Sequence, residues 1–172
     1  YHVHGRRGDT RPVLHVPSDE MAHDLWEHSL RAGMQHCGNE SSPSFIATLD
    51  EYFDVRTGTS VRVDGLPGAT LAPTRHVPNM ENYSIRFDNG VYYSGDSSDL
   101  PPLDAKLIFQ DVHFNHAFPD QVHAAYETLR DELPDEVRAR TWLVHLGQGH
   151  DEVPVKADGF AGLVSKGQVF EV

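Results

Sequence analysis

Three side chains that suit metal ions lie at the ends of predicted strands, in the chain order His76, Asp96 and His145. Imidazole nitrogens and carboxylate oxygens are ligands of Zn²⁺ and Mn²⁺ in proteins. Because an ionised aspartate offers two oxygens, Asp96 could bridge two ions, and Gly95 would let the backbone come close to them. Taken singly, each residue has a structural alternative: a turn histidine at 76, an Asx-turn or helix cap at 96, and a core histidine at 145. Taken together, they predict a metal site.

Histidine is abundant in this chain, with 12 among 172 residues. The count alone does not separate surface histidines from those that bind metal or move protons. His2 and His4 form an H-x-H pair, but Arg6 and Arg7 stand where an H-x-H-x-D-H metal motif requires Asp and His. We therefore do not expect His2 and His4 to bind metal.

The elements that must position these residues follow from hydrophobic spacing and turn signals. Helices are predicted over 19–35 and 122–133, and residues 38–43 are predicted as a loop. Asp88-Asn89-Gly90 is typical of a hairpin turn. Strands are predicted at 69–75, 83–87, 91–94, 106–110 and 141–146, and the tail is predicted to hold a helical turn at 162–164 and a last strand at 168–170. Antiparallel hairpins with interspersed helices indicate an α+β layered fold.

Composition restricts the partners and the compartment. The length fits one domain, and the formal net charge of −12 repels nucleic acid at long range unless bound metal reverses the local field. Cys37 is the single cysteine, which rules out an intrachain disulfide and favours a reducing, cytoplasmic location. No stretch reaches 18 apolar residues, so we expect no membrane span.

Several stretches of the chain resemble the metallo-β-lactamase (MBL) fold superfamily. The order strand-His, then Ser94-Gly95-Asp96-Ser97, then a late strand-His is similar to the second half of that fold. Longer segments resemble a bacterial and phage-associated group related to ribonuclease Z and to PhnP-like phosphodiesterases. The matching segments are 24–33, 49–55, 107–111, 122–129 and 157–162.

The resemblance implies an MBL-type αββα sandwich that holds two divalent metal ions, with Zn²⁺ favoured and Mn²⁺ the alternative. By this likeness, residues 1–172 are the C-terminal portion, a partial MBL-fold domain without the N-terminal strands and the H-x-H-x-D-H motif. His76 would be the third histidine of the first metal, Asp96 the bridge, and His145 the last histidine of the second metal. A hydroxide between the two ions would be the nucleophile.

The resemblance also implies roles for residues near the metals. His123 lies in the region where ribonuclease Z-like enzymes place a histidine near the scissile phosphate, where it could protonate the leaving oxygen; an exposed histidine at a helix start is the alternative. Asp111 could orient His123 or a metal-bound histidine, or cap a strand end. His113 and His116 are expected to be loop histidines.

A phosphodiester hydrolase is the function that this likeness favours, acting on RNA ends, cyclic nucleotides or small phosphodiesters. The acidic balance favours a small substrate. Because each metal would keep only two ligands from this chain, we expect activity only if a second chain supplies the H-x-H-x-D-H segment. Relatives suggest a homodimer. The alternatives are a non-catalytic structural or interaction protein on the same scaffold, and a thioester or lactone hydrolase.

Overall fold

A computed structural model describes residues 11–39, 41–147 and 149–172. His2 and His4 lie outside the described residues. The chain divides into two compact units, Tyr1–Val61 and Arg62–Val172. Among the described residues, no helix combines the length and the apolar character that crossing a bilayer requires.

The first unit contains a parallel strand pair and a continuous helical stretch. β1 (Val13–Val16) pairs with β4 (Asp54–Thr57). The helix predicted over 19–35 is confirmed as α1 (Asp19–Asp24), a π-helical segment (Leu25–Leu30) and α2 (Arg31–Met34). Its start follows the sequence signal, because the Ser18 hydroxyl accepts a hydrogen bond from the Met21 amide at 3.0 Å.

A hairpin occupies the segment that was predicted as a loop. β2 (His36–Asn39) and β3 (Ser42–Ile46) pair antiparallel, and the register shifts between Cys37 and Asn39. Gly38 has φ 136°, and a Cβ there would lie 2.7 Å from Ser44 Cα. The glycine that indicated a loop thus forms a β-bulge. The short helix α3 (Leu49–Tyr52) and β5 (Ser60–Val61) complete the elements of this unit.

The second unit is built on a mixed sheet. Its strands have the order β11-β10-β9-β8-β7-β6. β7 and β8 are antiparallel, as the hairpin signal predicts, and β6 is antiparallel to β7, whereas β8, β9, β10 and β11 are all parallel. The hairpin-based interpretation did not include this parallel half. The strands are β6 (Ala69–Pro73), β7 (Tyr83–Phe87), β8 (Val91–Tyr93), β9 (Leu107–Asp111), β10 (Thr141–Val144) and β11 (Gly162–Leu163).

Two helices pack with this sheet around one hydrophobic core. α4 (Tyr126–Glu132) and α5 (Asp135–Arg138) contribute Leu129 and Val137, which are buried in one cluster with strand residues such as Ile108 and Leu143. A 3₁₀ turn (His150–Glu152) follows β10. The unit is therefore a mixed α/β structure with a sheet-rich core.

Three sequence predictions in this unit are wrong, one at its boundary and two in the type of structure. The helix predicted over 122–133 begins only at Tyr126, because Ala125 is extended and forms a bridge with His113. His123 therefore lies in a bend before the helix rather than at its start. In the tail, residues 162–163 form β11 instead of a helical turn, and the described residues 168–170 form no strand; Phe170 instead packs edge-on against Trp142, with ring centroids 5.0 Å apart.

Candidate metal centre

Three of the predicted residues meet because parallel strands end at the same edge of the sheet. In the register of β9 with β10, Val144 lies beside Asp111, and β8 runs parallel on the other side of β9. Asp111 is the last residue of β9, His145 follows β10 directly, and Asp96 comes three residues after β8. The carboxyl edge of an open α/β sheet is a common place for ligand binding.

Asp111 is the centre of the hydrogen-bond network. Its side chain is completely buried. Oδ2 accepts hydrogen bonds from the Ser97 amide at 2.8 Å and from His123 Nδ1 at 2.5 Å, and Oδ1 lies 3.1 Å from His145 Nδ1. The Asp111 amide donates to the Ser94 hydroxyl at 2.8 Å. A buried carboxylate with this many donors is held in one orientation.

The Ser-Gly-Asp turn after β8 brings the second carboxylate to the same histidine. Asp96 Oδ1 lies 3.0 Å from His145 Nδ1. Gly95 makes the turn possible, since its φ is 63° and a Cβ would lie 2.7 Å from the Tyr83 carbonyl oxygen. The Asn82 amide donates to the Asp96 carbonyl, which holds the turn against β7.

His76 joins the cluster from the other side. Its Nδ1 donates to the Val122 carbonyl oxygen at 2.9 Å, and its ring centroid lies 5.0 Å from that of His123. The His123 and His145 rings are 6.4 Å apart. The structure thus brings all five predicted site residues together in the order His76, His123, Asp111, His145, Asp96. Their individual roles in metal binding and catalysis stay predictions.

The hydrogen bonds also determine which ring nitrogen of each histidine carries hydrogen. A carbonyl oxygen and an ionised carboxylate can only accept, so Nδ1 of His76, His123 and His145 must donate. In the neutral ring, Nε2 then has the free lone pair. Metal-binding histidines commonly show this arrangement, with one nitrogen on the metal and the other donating to a carboxylate or carbonyl.

The donor set fits a divalent ion. One ligand atom each from Asp111, His123 and His145 lies within 4.8 Å of the other two. Because Asp111 already accepts from Nδ1 of both rings, the Nε2 atoms of the histidines and the Asp96 carboxylate are the groups that remain to contact an ion. Two carboxylates give the site the negative charge that a cation requires. Their effect reaches Tyr93, because burial and then the charges of Asp96 and Asp111 raise the pKa of its phenol. The residues present can therefore hold a metal.

The two expected loop histidines have side-chain partners outside the candidate metal centre. His113 Nε2 pairs with the Gln121 side-chain oxygen at 3.2 Å, and the exposed His116 pairs with Glu127 at 3.1 Å. Sequence analysis missed the supporting role of Ser94 and Ser97, both completely buried. Ser94 supports Asp111 through its hydroxyl, a polar group that directly follows a strand, whereas Ser97 does so through its backbone amide, which its residue type does not signal.

Comparison with known proteins identifies the family. A family model described as Anti-Pycsar protein Apyc1 matches residues 4–170. The chain belongs to this Apyc1 family. Apyc1 of Paenibacillus harenae is 32% identical over 152 residues, covering 83% of this chain and 58% of that protein. Apyc1 of Bacillus phage 010DV004 is 30% identical over 166 residues, covering 87% and 62%. The chain thus spans about three fifths of the length of these curated Apyc1 relatives.

Among solved structures, the MBL-fold protein YhfI of Bacillus subtilis has a TM-score of 0.48 and 18% identity, covering 72% of this chain and 58% of that one. This likeness is too weak to assign a fold, so the αββα sandwich stays a prediction. The findings name the Apyc1 family, whereas the resemblance in the sequence pointed to the group of ribonuclease Z and PhnP.

Proposed function

We propose that this chain is part of a metal-dependent phosphodiesterase that hydrolyses small phosphodiesters, with cyclic nucleotides as the favoured class. The observation that carries the proposal is the buried Asp111 carboxylate, which holds Nδ1 of both His123 and His145. This arrangement prepares two imidazoles for a cation and a phosphate at the edge of the sheet.

The residues divide the work as follows. His76, Asp96 and His145 hold divalent metal, zinc being favoured and manganese the alternative. When bound, the metal lowers the pKa of water and polarises the phosphoryl oxygen. His123 donates a proton from Nε2 to the leaving oxygen, and Asp111 stabilises the doubly protonated imidazole that this step requires.

The acidic charge of the chain favours a small substrate over a long nucleic acid. A formal net charge of −12 opposes the approach of a long polyanion, while a cyclic nucleotide carries one charge. The relatives are named anti-Pycsar proteins. We include an anti-Pycsar role for this chain in the proposal.

The ligands that complete a two-metal site are proposed to come from an H-x-H-x-D-H segment outside residues 1–172, carried by another chain or by the longer protein. A homodimer is the proposed assembly.

The decisive experiment measures metal content and hydrolysis on the same sample. Elemental mass spectrometry of the purified protein is combined with rates on bis(p-nitrophenyl) phosphate, cyclic AMP, a thioester and a lactone. With the H-x-H-x-D-H segment supplied by the longer protein or by a second chain, we expect bound metal and hydrolysis of the phosphodiesters, both lost in His145→Ala. The control is His28→Ala, at an exposed histidine in the other unit.

Circular dichroism verifies that the His145 variant is folded. Hydrolysis of only the thioester or the lactone would overturn the phosphodiesterase assignment. Absence of metal from a folded sample supplied with zinc would leave a non-catalytic scaffold.

A further inference from the structure

A cavity lies beside His76, and its lining residues do not include Asp96, Asp111 or His145. Its volume is about 400 Å³, within the range of small-ligand sites. The lining residues that matter here are Arg75, His76, Asn79, Met80, Asp120 and Gln121. His76 is therefore shared: one part of its surface lines the cavity, and its ring packs against His123. A ligand in the cavity would be next to the candidate metal centre.

The backbone around this cavity is strained at two points. Asn79 has φ 63° and Asp120 has φ 60°. Among the described residues, His145 of the metal centre is the only other non-glycine residue with positive φ. Such conformations cost free energy and concentrate where a structure clamps a ligand. These three residues with positive φ lie at the candidate metal centre or in the lining of the cavity beside it.

The charges of the cavity do not suit a phosphate. The guanidinium of Arg75 is already paired, with Nε 2.5 Å from Asp99 Oδ1, and the Arg75 amide donates to the same carboxylate at 2.8 Å. Asp120 adds a negative charge to the lining. A dianionic or polymeric ligand would be repelled here, whereas a neutral ring would not.

The remaining lining suits a heterocycle with hydrogen-bonding edges. Met80 offers a polarisable apolar surface, and Asn79 and Gln121 offer carboxamides. Gln121 is already oriented, because its side-chain oxygen accepts from the Phe118 amide at 3.3 Å and pairs with His113 Nε2 at 3.2 Å. Its amide NH₂ group is thus the end suited to donate to a ligand.

We propose that this cavity binds the nucleobase and ribose of a cyclic nucleotide whose phosphate lies at the histidine cluster. The inference rests on the proposed phosphodiesterase function and adds the part of the molecule that recognises the nucleoside. The neutral part of the substrate occupies the cavity, and its charged part faces the metal.

The test measures binding directly by isothermal titration calorimetry on the zinc-loaded protein with the H-x-H-x-D-H segment supplied. The probes are the phosphorothioate analogue of cyclic AMP, which resists hydrolysis, and inorganic phosphate. The variant combines Asn79→Gly, which the positive φ tolerates, with Met80→Ala. The matched control is Leu103→Ala, because Leu103 and Met80 are exposed to nearly the same extent, 58% and 57%, and Leu103 is not among the lining residues.

We expect the double variant to weaken binding of the analogue at least about tenfold, which corresponds to about 1.4 kcal/mol. Phosphate binding should stay within about twofold of the parent, and Leu103→Ala should change neither probe. Equal weakening of both probes, or no weakening of either, would overturn the inference.

Hydrolysis of bis(p-nitrophenyl) phosphate, which has no nucleoside, separates this inference from the proposed function. If the parent protein cleaves that ester but does not bind the analogue, the cavity assignment fails and the phosphodiesterase stands. If the parent cleaves nothing while the double variant still loses only the analogue, the phosphodiesterase fails and the cavity assignment stands.

Discussion

The Asp111 carboxylate accepts hydrogen bonds from two imidazoles, and its burial and hydrogen bonds restrict its orientation more than that of any other residue described in the site. Asp111 is buried and accepts from His123, His145 and the Ser97 amide. The negative charge strengthens each of these hydrogen bonds and makes both rings better electron donors at Nε2.

Asp111→Asn should lower zinc affinity by about 10- to 100-fold, the usual effect of losing a carboxylate behind a metal-binding histidine. The volume is conserved but the buried hydrogen bonds change, so circular dichroism must first show that the variant is folded. Competition with a chromophoric chelator measures the affinity. Asp131→Asn, at an exposed carboxylate paired with Arg130, is the control. Unchanged affinity in Asp111→Asn would show that this carboxylate does not support a metal site.

Gly95 is required by the backbone geometry of the turn that places Asp96 in the candidate site. Gly95→Ala should destabilise the protein by about 1–3 kcal/mol, because the new Cβ would need positive φ and would meet the Tyr83 carbonyl. Gly33→Ala is the opposite case: Gly33 lies in α2 with open space around it, so alanine should stabilise by about 0.5–1 kcal/mol. Urea unfolding measures both changes. Equal effects in the two variants would contradict this account.

At the scale of elements, the sequence predicted local structure better than arrangement. The β7–β8 hairpin was predicted from Asp88-Asn89-Gly90, and the helix after Ser18 from its cap and spacing; both are local signals. The parallel pairing of β8, β9 and β10 was not predicted, because it joins segments far apart in the chain and leaves no short-range signal.

The candidate site shows the same division between local and long-range information. Residue type and position at strand ends were enough to select Asp96 and His145, and the family resemblance added Asp111. Only the strand order shows that one histidine faces both carboxylates, at 3.0 and 3.1 Å. The late start of α4 was missed because the Ala125 bridge to His113 is a long-range contact.

Helix α4 begins with a titratable side chain whose ionisation should govern stability at alkaline pH. The Tyr126 hydroxyl donates to Asp158 Oδ2 at 2.7 Å, and burial, followed by this carboxylate, raises its pKa well above the ordinary 10.0. A group with a raised pKa in the folded state contributes stability that is present below its unfolded pKa and is lost as the pH rises toward its folded pKa. The loss should therefore start above about pH 10.

Tyr126→Phe should cost about 1–2 kcal/mol at neutral pH, through the lost hydrogen bond, and should flatten this alkaline dependence. Urea unfolding at pH 7, 9 and about 10.5 checks both effects. Asp158→Asn keeps an acceptor but removes the charge, so it should bring the folded pKa of Tyr126 closer to its unfolded value and reduce the total stability lost at alkaline pH. A parent protein whose stability falls with the same slope as the Tyr126 variant would contradict the assignment.

For the whole molecule, the net charge of −12 should discriminate between substrates. At low ionic strength, a short oligoribonucleotide should be cleaved more slowly than cyclic AMP. Raising salt to about 0.3 M shortens the screening length below about 8 Å and should raise the oligonucleotide rate severalfold. The rate on bis(p-nitrophenyl) phosphate, a small monoanion, should change by less than about twofold. An oligonucleotide rate that falls steeply with salt would indicate a basic binding surface instead.

Because the candidate site lies at the strand ends, the residues inside β9 and β10 and the residues of the site can change almost independently. Ile108 and Leu143 lie inside β9 and β10 and are completely buried, so they determine whether the sheet folds. The residues of the candidate site come where those strands end. A lineage could therefore exchange its chemistry by altering only the turns that follow the strands, while the interior stays unchanged. Asp111 is both the buried last residue of β9 and a member of the candidate site. It is therefore the position where a change of activity and a loss of stability would be hardest to separate.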